Sequence, residues 1–359
     1  MADKTSSETV ATWTLALVAL GLLAGIAYRA TQRGPAIDRT IERILRDEGL
    51  PGAVVAIGPA AGPYEVRAFG LADVRSNRAM MAGDRFKIAS LTKPVTAEVV
   101  LGLVAEGDLL LTDRVADHVP AFETAGFGDV TIAQLMSHRS GLTRRGADDP
   151  YFMSESALKR TFDLESGALP DCVPLAEATL ATGAGFEAGA AYEYSNAGYC
   201  WLGEVIEAVS GTPALVMVGT EADGLSFDAG SLTVAHFGAG PAGQPVNRPE
   251  IIGPAGGLMA SAQDYAAFAG GVEIDGKALE PLASDDAVHS YGLGWRVWRD
   301  ESAPYLTHFG SLPGAFSVVV RSEDHVGVVL FNGRPQGNDG PFTALRRALL
   351  ADFKRIETE

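Results

Sequence analysis

The pattern of hydrophobic and polar positions places strands near both ends of the chain and helices between them. After Pro35, apolar residues recur at helical spacing up to Gly49. Two short apolar runs joined by a turn-rich segment then predict a β-hairpin, "GAVVAIG" and "YEVRAFG". Near the C-terminus, four runs separated by short turns predict an antiparallel meander, "YGLGWRVW", "APYLTHFGS", "AFSVVVRS" and "HVGVVLFNG". An amphipathic helix is predicted over residues 340–356.

Strands at both ends and helices in the middle predict an α+β fold. The simplest packing pairs the early hairpin with the late meander in one antiparallel sheet flanked by helices, and we expect five strands in it. The sheet lobe is predicted to comprise residues 35–88 and 255–359, with a mostly helical lobe inserted at 89–254. A two-lobed protein tends to place its site in the crevice between the lobes.

The N-terminal segment has a different character from the rest of the chain. Residues 9–28 carry no charge, and as a helix they would span about 30 Å, the thickness of a bilayer core. We therefore expect residues 1–34 to form a transmembrane anchor, and the small residues Gly25 and Ala27 leave a cleaved signal peptide open as the alternative. Four arginines follow the span, which by charge alone favours a cytoplasmic domain, although large domains translocate despite flanking charge.

Composition and charge exclude several classes of function. With 359 residues, 47% of them hydrophobic, the chain is long enough for a substantial core. The formal net charge of −17 provides no basic surface for nucleic acid. Cys172 and Cys200 predict a structural thiol pair or a single disulfide. The six histidines are scattered without the close pairs of a hydrolytic zinc site, so we expect no metal and no cofactor.

The stretch "FKIASLTKPVTA" contains a Ser-x-x-Lys pattern, which on a helix puts a hydroxyl and an amine on one face. A desolvated lysine can act as the base for a serine nucleophile. The pattern occurs twice, at Ser90 with Lys93 and at Ser156 with Lys159. The second pair lies in a polar run typical of a solvated surface. Ser90 instead opens an apolar helix, whose free N–H groups and dipole favour developing negative charge.

A second pattern, Tyr194-Ser195-Asn196, supplies a proton relay for this pair. A tyrosine facing the lysine can shuttle protons, and the asparagine amide can hold the lysine and a substrate carbonyl. The alternative interpretation is a tyrosine packed at the start of a helix with Asn196 as its cap.

A third pattern, His-x-Gly, occurs three times. His236 has no strand after it, and His325 follows an acidic turn that predicts a solvated loop histidine. His308-Phe309-Gly310 lies on a predicted edge strand, where Gly310 would let a substrate approach the backbone closely. The N–H of Ser311 would then complete an oxyanion hole with that of Ser90.

The motifs "SLTK", "YSN" and "HFG" resemble, in order and broad spacing, those of the serine β-lactamase and penicillin-binding-protein superfamily, specifically its class C-like serine hydrolases. The stretches "LMSHRSGL", "PAGGLMASAQDYAAF" and "YGLGW" resemble that family too, and the resemblance covers roughly residues 37–333. It implies an acyl-enzyme mechanism in which Ser90 attacks a carbonyl and Lys93 and Tyr194 move protons. Asn196 would orient the substrate, and the strand bearing His308 would dock it.

The chain departs from this family at the third motif. Dedicated β-lactamases usually carry Lys-Thr-Gly where this chain has His308-Phe309-Gly310, so the cation and hydroxyl that hold a β-lactam's carboxylate are missing or weaker. We therefore expect an esterase, an amidase or a D-amino-acid peptidase with at most weak β-lactamase activity, acting on a small ester, amide or peptide. The alternative is an inactive, membrane-tethered penicillin-recognition or scaffolding protein. The resemblance also implies a periplasmic catalytic domain anchored in the inner membrane, or a secreted one if the segment is cleaved.

Overall fold

The computed structural model describes residues 34–123, 126–144, 154–161, 172–234, 249–275, 282–284, 289–299 and 304–358. The predicted membrane span at residues 9–28 and His236 lie outside these ranges. Within them, no single helix has both the length and the apolar character needed to cross a membrane. Two helices bent by 96°, Asn196–Ser210 and Ala214–Thr220, meet those limits only when taken together.

The secondary structure follows the order strands, helices, strands. Helix α1 (Ala36–Glu48) precedes strands β1 (Gly52–Pro59), β2 (Glu65–Asp73), β3 (Arg78–Ala79) and β4 (Arg85–Lys87). The middle of the chain contains helices α2 (Thr92–Glu106), α3 (Val115–His118), α4 (Ile132–Met136), α5 (Glu155–Thr161), α6 (Cys172–Leu180), α7 (Asn196–Ser210), α8 (Ala214–Thr220) and α9 (Pro249–Gly256). Then come β5 (Met259–Ser261), α10 (Ala262–Gly271), β6 (Ala283–Ser284), β7 (His289–Tyr291), β8 (Arg296–Arg299), β9 (Pro304–Leu312), β10 (Ala315–Arg321), β11 (His325–Phe331) and α11 (Asp339–Ile356).

The central sheet is antiparallel and has the strand order β3-β2-β1-β11-β10-β9-β8-β7-β6. Eight of these strands, from β2 to β6, form its continuous part, and the two-residue β3 is added beyond a register shift in β2 between Leu71 and Asp73. The hairpin β1–β2 joins the meander through pairing of β1 with β11. The α+β class is confirmed, whereas the prediction of five strands is wrong.

One extra strand arises because a single predicted run forms two strands, and another is β6, which lies outside the predicted runs. "YGLGWRVW" turns back on itself between β7 and β8, and the N–H of Gly292 donates to the carbonyl of Trp295 at 2.9 Å. Gly294 within this turn has φ of 86°, and a Cβ there would lie 2.2 Å from the Cβ of Ala97 on α2. Only glycine adopts this φ without strain and leaves room for the Ala97 side chain, so it allows the turn to pack against α2.

Both faces of the sheet are covered, which explains why β10 and β11 are buried along their whole length. Along β1, Val55 and Ile57 belong to the apolar cluster that includes α1 and α11, while Val54 and Ala56 belong to the cluster that includes α2 and α7. This alternation is the period of two expected of a strand between two layers of helices.

A short 3₁₀ turn, Ala89–Leu91, connects β4 to α2 and carries Ser90. The helix that follows is buried on nearly every side and ends at Gly107, which has φ of 85°. The turn is held at its two ends, because the N–H of Ile88 donates to the carbonyl of Leu258 at 3.0 Å and the hydroxyl of Tyr265 donates to the carbonyl of Leu91 at 2.7 Å. Ser90 therefore lies on a fixed piece of backbone.

Strand β9 packs directly against this turn at Gly310. A Cβ at Gly310 would lie 2.4 Å from the carbonyl oxygen of Ile88 and 2.4 Å from the Oγ of Ser317, which itself donates to the Ile88 carbonyl at 2.7 Å. The sequence predicted that Gly310 lets a substrate approach the backbone closely. In the structure, the absence of a side chain at Gly310 lets the turn that carries Ser90 pack closely against β9.

We expect Gly310→Ala to lower the free energy of unfolding by about 1–3 kcal/mol, because the added methyl group would overlap the Ile88 carbonyl and the Ser317 hydroxyl that is hydrogen-bonded to it. Urea unfolding followed by circular dichroism measures the change. The matched control is Gly102→Ala on α2, where a Cβ would have no heavy atom within 4 Å. That substitution should leave stability unchanged or raise it by up to about 1 kcal/mol through helix propensity, and equal effects of the two substitutions would contradict the packing role of Gly310.

Candidate active site

Ser90 and Lys93 lie together at the N-terminal end of α2. Lys93 is fully buried, and its Nζ lies 3.4 Å from the Oγ of Ser90. The same nitrogen donates to the Oδ1 of Asn196 at 2.9 Å and to the carbonyl of Ala255 at 2.5 Å. An ammonium group has three N–H donors, and these three oxygens match them. The amine is therefore desolvated but hydrogen-bonded within reach of a partly exposed serine hydroxyl.

The carbonyl of Ala255 is available because α9 is broken just before it. Gly253 has φ of 38° and ψ of −129°, and Pro254 follows. The Pro254 carbonyl accepts the Thr96 hydroxyl at 2.7 Å, which ties the break to α2. Cys172 lies against Gly253, since a Cβ on that glycine would be 3.2 Å from the sulfur.

Cys172 and Cys200 form a disulfide, one of the two arrangements left open by the sequence. It joins α6 to α7 about one turn from Asn196 and lies beside the break in α9. Two of the three oxygens that bind Lys93, those of Asn196 and Ala255, therefore belong to segments adjacent to this cross-link.

Tyr194 and Asn196 lie where α7 begins. Asn196 is the first residue of the helix and Ser195 occupies the N-cap position, so Asn196 is not the cap that the alternative interpretation required. Its amide oxygen instead accepts from Lys93. The Nζ of Lys93 lies 4.8 Å from the centroid of the Tyr194 ring and 5.4 Å from that of Tyr199, within the range of cation–π attraction.

His308 is buried, and both of its ring nitrogens are hydrogen-bonded inside the protein. Its Nδ1 bonds to the carbonyl of Phe309 at 2.9 Å, and its Nε2 lies 3.0 Å from the hydroxyl of Tyr291. A carbonyl only accepts, so Nδ1 carries the proton, and Nε2 of the neutral ring accepts from the tyrosine hydroxyl, which also lies 3.3 Å from the carbonyl of Gly294. Burial, and then the charges of Arg296 and Lys93, hold the pKa of His308 well below its usual value. His308 is therefore neutral and supplies no cation.

The predicted edge strand is internal over its first half. Strand β9 pairs with both β8 and β10, but its pairing with β8 ends at Thr307. From His308 onward, β8 no longer covers that side of the strand. This is the half of β9 that lies beside Ser90, where Ser311 donates through its Oγ to the Oδ1 of Asn338 at 3.0 Å.

A cleft between the sheet and the helices collects most of the predicted site. Its walls are formed by Ser90, Tyr194, Asn196, His308, Phe309 and Ser311, together with Arg144, Arg296, Arg334 and Asn338. Of the predicted site residues, Lys93 and Gly310 are not among them, since Lys93 is fully buried beside Ser90 and Gly310 packs against the turn. Within the described chain, three arginines and no carboxylate line the cleft.

These arginines were missed by sequence reasoning because they come from three separate segments. Arg296 gave the one available signal, since it directly follows the family-like stretch "YGLGW". Its guanidinium lies 5.1 Å from the centroid of the Phe309 ring and 6.0 Å from that of Tyr291. These aromatic rings help to place the cation at the wall of the cleft.

The remaining candidates lie away from the cleft. Ser156 on α5 is exposed and bonds to the hydroxyl of Ser154 at 3.1 Å, in keeping with a surface pair. The expectation for His325 is wrong. It is 6% exposed, because it begins β11 and its ring stacks on Phe353 of α11 at 5.4 Å. Across the described ranges, no group of histidine, cysteine and acidic residues has the arrangement of a metal site.

Comparisons with known proteins agree with this geometry. The family model described as "Beta-lactamase" matches residues 37–352. Penicillin-binding protein 4 of Amycolatopsis lactamdurans is 27% identical over 88% of this chain and 89% of its own length. Esterase EstB of Burkholderia gladioli is 34% identical over 51% of this chain, which spans 47% of that relative. The D-amino acid amidase of Ochrobactrum anthropi superposes with a TM-score of 0.70 at 19% identity, covering 89% of this chain and 99% of the amidase.

The family match extends over most of the chain, and it includes the segments that carry all three motifs. The superposition on the amidase also covers most of the chain, which supports the same fold. The chain therefore belongs to the beta-lactamase family and is a serine hydrolase.

Proposed function

We propose that this protein cleaves esters or amides through an acyl-enzyme formed on Ser90. The observation that carries the proposal is the Nζ of Lys93, which is buried, held by Asn196 and Ala255, and 3.4 Å from the Oγ of Ser90. The names of two relatives, an esterase and a D-amino acid amidase, indicate the two substrate classes.

In the proposed reaction, Ser90 Oγ attacks the substrate carbonyl as its proton passes to the Tyr194 oxygen, and the adjacent Lys93 ammonium stabilises the negative charge that this transfer moves. The N–H groups of Ser90 and Ser311 bind the oxyanion of the tetrahedral intermediate. Tyr194 delivers the proton to the leaving group, which departs as an alcohol or an amine. Water then attacks the acyl-enzyme, with the same groups acting in reverse, and releases the acid.

We expect Ser90→Ala to abolish hydrolysis of a short-chain aryl ester and to prevent labelling by a serine-directed phosphonate, because the nucleophile is removed. Intact-protein mass spectrometry detects the adduct, and peptide mapping locates it. Ser156→Ala is the matched control, since Ser156 shares the Ser-x-x-Lys spacing but is exposed on α5, and it should retain full activity and labelling.

Two outcomes would contradict the catalytic role of Ser90. One is undiminished turnover by the Ser90→Ala protein. The other is the absence of any phosphonate adduct on the wild-type protein, which would favour a binding or scaffolding protein with this fold.

We further propose that the preferred substrates carry a carboxylate or another anionic group. Three arginines line the cleft, while His308 on β9 is held neutral. Arg296 is only partly exposed and lies opposite Thr307 in the β8–β9 register, next to the substrate-docking end of β9. A guanidinium there can bind a carboxylate through two parallel hydrogen bonds.

We expect Arg296→Gln to lower kcat/KM for an aryl ester bearing a free carboxylate by about 10- to 100-fold, the range for loss of a charge-assisted hydrogen bond. The matched neutral ester should change by less than about threefold, because it makes no ion pair. Arg299→Gln, an exposed position on the same strand, is the control and should affect neither ester. Equal losses on the two esters would show that Arg296 does not recognise the anion.

We propose that residues 1–34 anchor a single hydrolase domain, residues 35–359, on the extracytoplasmic face of a membrane. Support comes from the uncharged span at residues 9–28 and from the disulfide between Cys172 and Cys200, since disulfides persist in oxidising compartments. Protease added to cells with a permeabilised outer envelope and an intact inner membrane should digest the domain while a cytoplasmic marker protein survives. Complete protection of the domain would contradict this placement.

A further inference from the structure

His138 is a buried histidine that lies beside the candidate site and has no role in the proposed reaction. It lies two residues after α4 in a left-handed conformation, with φ of 60°, and is 2% exposed. Its ring centroid is 4.3 Å from that of Tyr194 and 4.6 Å from that of Tyr291. A left-handed conformation is unfavourable for most non-glycine residues, so its presence here calls for a local explanation.

Two hydrogen bonds connect His138 to the residues on either side of Tyr194. The carbonyl of His138 accepts the N–H of Glu193 at 3.0 Å, and its Nδ1 accepts the N–H of Ser195 at 3.2 Å. Its imidazole ring packs against the phenol ring between them, at an interplanar angle of 39°. The backbone N–H groups of the residues before and after the tyrosine are thus both bound by His138, and only the hydrogen bond to Ser195 and the ring contact depend on the histidine side chain.

The bond to Ser195 requires a neutral imidazole. A backbone N–H only donates, so Nδ1 must be unprotonated and the ring proton resides on Nε2. Burial, followed by the positive charge of Lys93, keeps the pKa of His138 well below its usual value. Ser195 is itself buried, and without Nδ1 its N–H would lose its acceptor inside the protein.

We propose that His138 is a positioning residue, which holds the Tyr194 ring over the Nζ of Lys93 by accepting the Ser195 N–H and packing against the phenol. This role rests on the proposed function of Tyr194 in proton transfer. Proton relays are sensitive to displacements of about 1 Å, which can cost on the order of 100-fold in rate. A loosened Tyr194 would therefore slow the chemical step while leaving the walls of the cleft in place.

The test compares His138→Asn with His138→Leu. Asparagine offers an oxygen near the place of Nδ1 and tolerates a positive φ, whereas leucine has nearly the same size and no acceptor. His325→Leu is the control, because it removes another buried histidine, on β11, that lines no part of the cleft. Each variant is assayed on the aryl ester for kcat and KM, with melting temperature followed by circular dichroism.

We expect His138→Leu to lower kcat by at least about 30-fold with little change in KM, and His138→Asn to recover most of that loss. His325→Leu should lower the melting temperature and leave kcat unchanged. In a Tyr194→Phe background, His138→Leu should cause little further loss, since both substitutions disable the same proton transfer.

The proposal is overturned if His138→Leu keeps the wild-type kcat, if His138→Asn loses as much as His138→Leu, or if the loss is undiminished in the Tyr194→Phe background. Should the leucine variant not fold, His138→Gly replaces it, because glycine adopts this φ freely and also lacks the acceptor. Turnover that persists in Ser90→Ala would instead contradict the proposed function, so the two failures are distinguishable.

Discussion

The arrangement of the candidate active site depends on the burial of one amine. Transfer of the Lys93 ammonium group out of water is costly unless hydrogen bonds replace its hydration. Oxygen atoms that bind it belong to Ser90 on the turn before α2, Asn196 at the start of α7, and Ala255 beyond the break in α9. Three segments far apart in the sequence must therefore meet within hydrogen-bond distance of a single nitrogen. A shift of any one of them would lengthen a hydrogen bond to a buried charge.

This requirement gives a common reason for several irregular features. The non-helical Gly253 frees the Ala255 carbonyl, and the disulfide that begins at Cys172 lies against that glycine. Gly310 allows β9 to press on the turn that carries Ser90. The positive charge of Lys93 also acts on its surroundings, because it adds to burial in keeping His138 and His308 neutral. Neutral imidazoles accept hydrogen bonds, and each of these two accepts one that orders a segment of the site.

Local sequence patterns predicted that Ser90 and Lys93 lie together at a helix start, as they do in the structure, because a Ser-x-x-Lys spacing and a helix start are determined within a few residues. The same reasoning could not locate β6, which has two residues and no measurable period, or the turn that divides "YGLGWRVW" into two strands. It placed His325 in solvent because the covering helix α11 is distant in sequence. The arginines of the cleft come from separate segments, so only tertiary structure brings them together.

At the third motif, the cation beside the cleft lies on β8 and not on β9. In this chain His308 occupies the position at which the related β-lactamases usually have lysine, and its two ring nitrogens are engaged by Phe309 and Tyr291. A cation is nevertheless present at the cleft, on the neighbouring strand. Arg296 lies opposite Thr307 in the β8–β9 register, and Thr307 immediately precedes His308. The Arg296 guanidinium lies over the ring of Phe309. Because adjacent strands lie about 5 Å apart, either strand can present a charge to the same substrate group. This arrangement is the basis for the proposal that the cleft binds an anionic group although the motif lacks lysine.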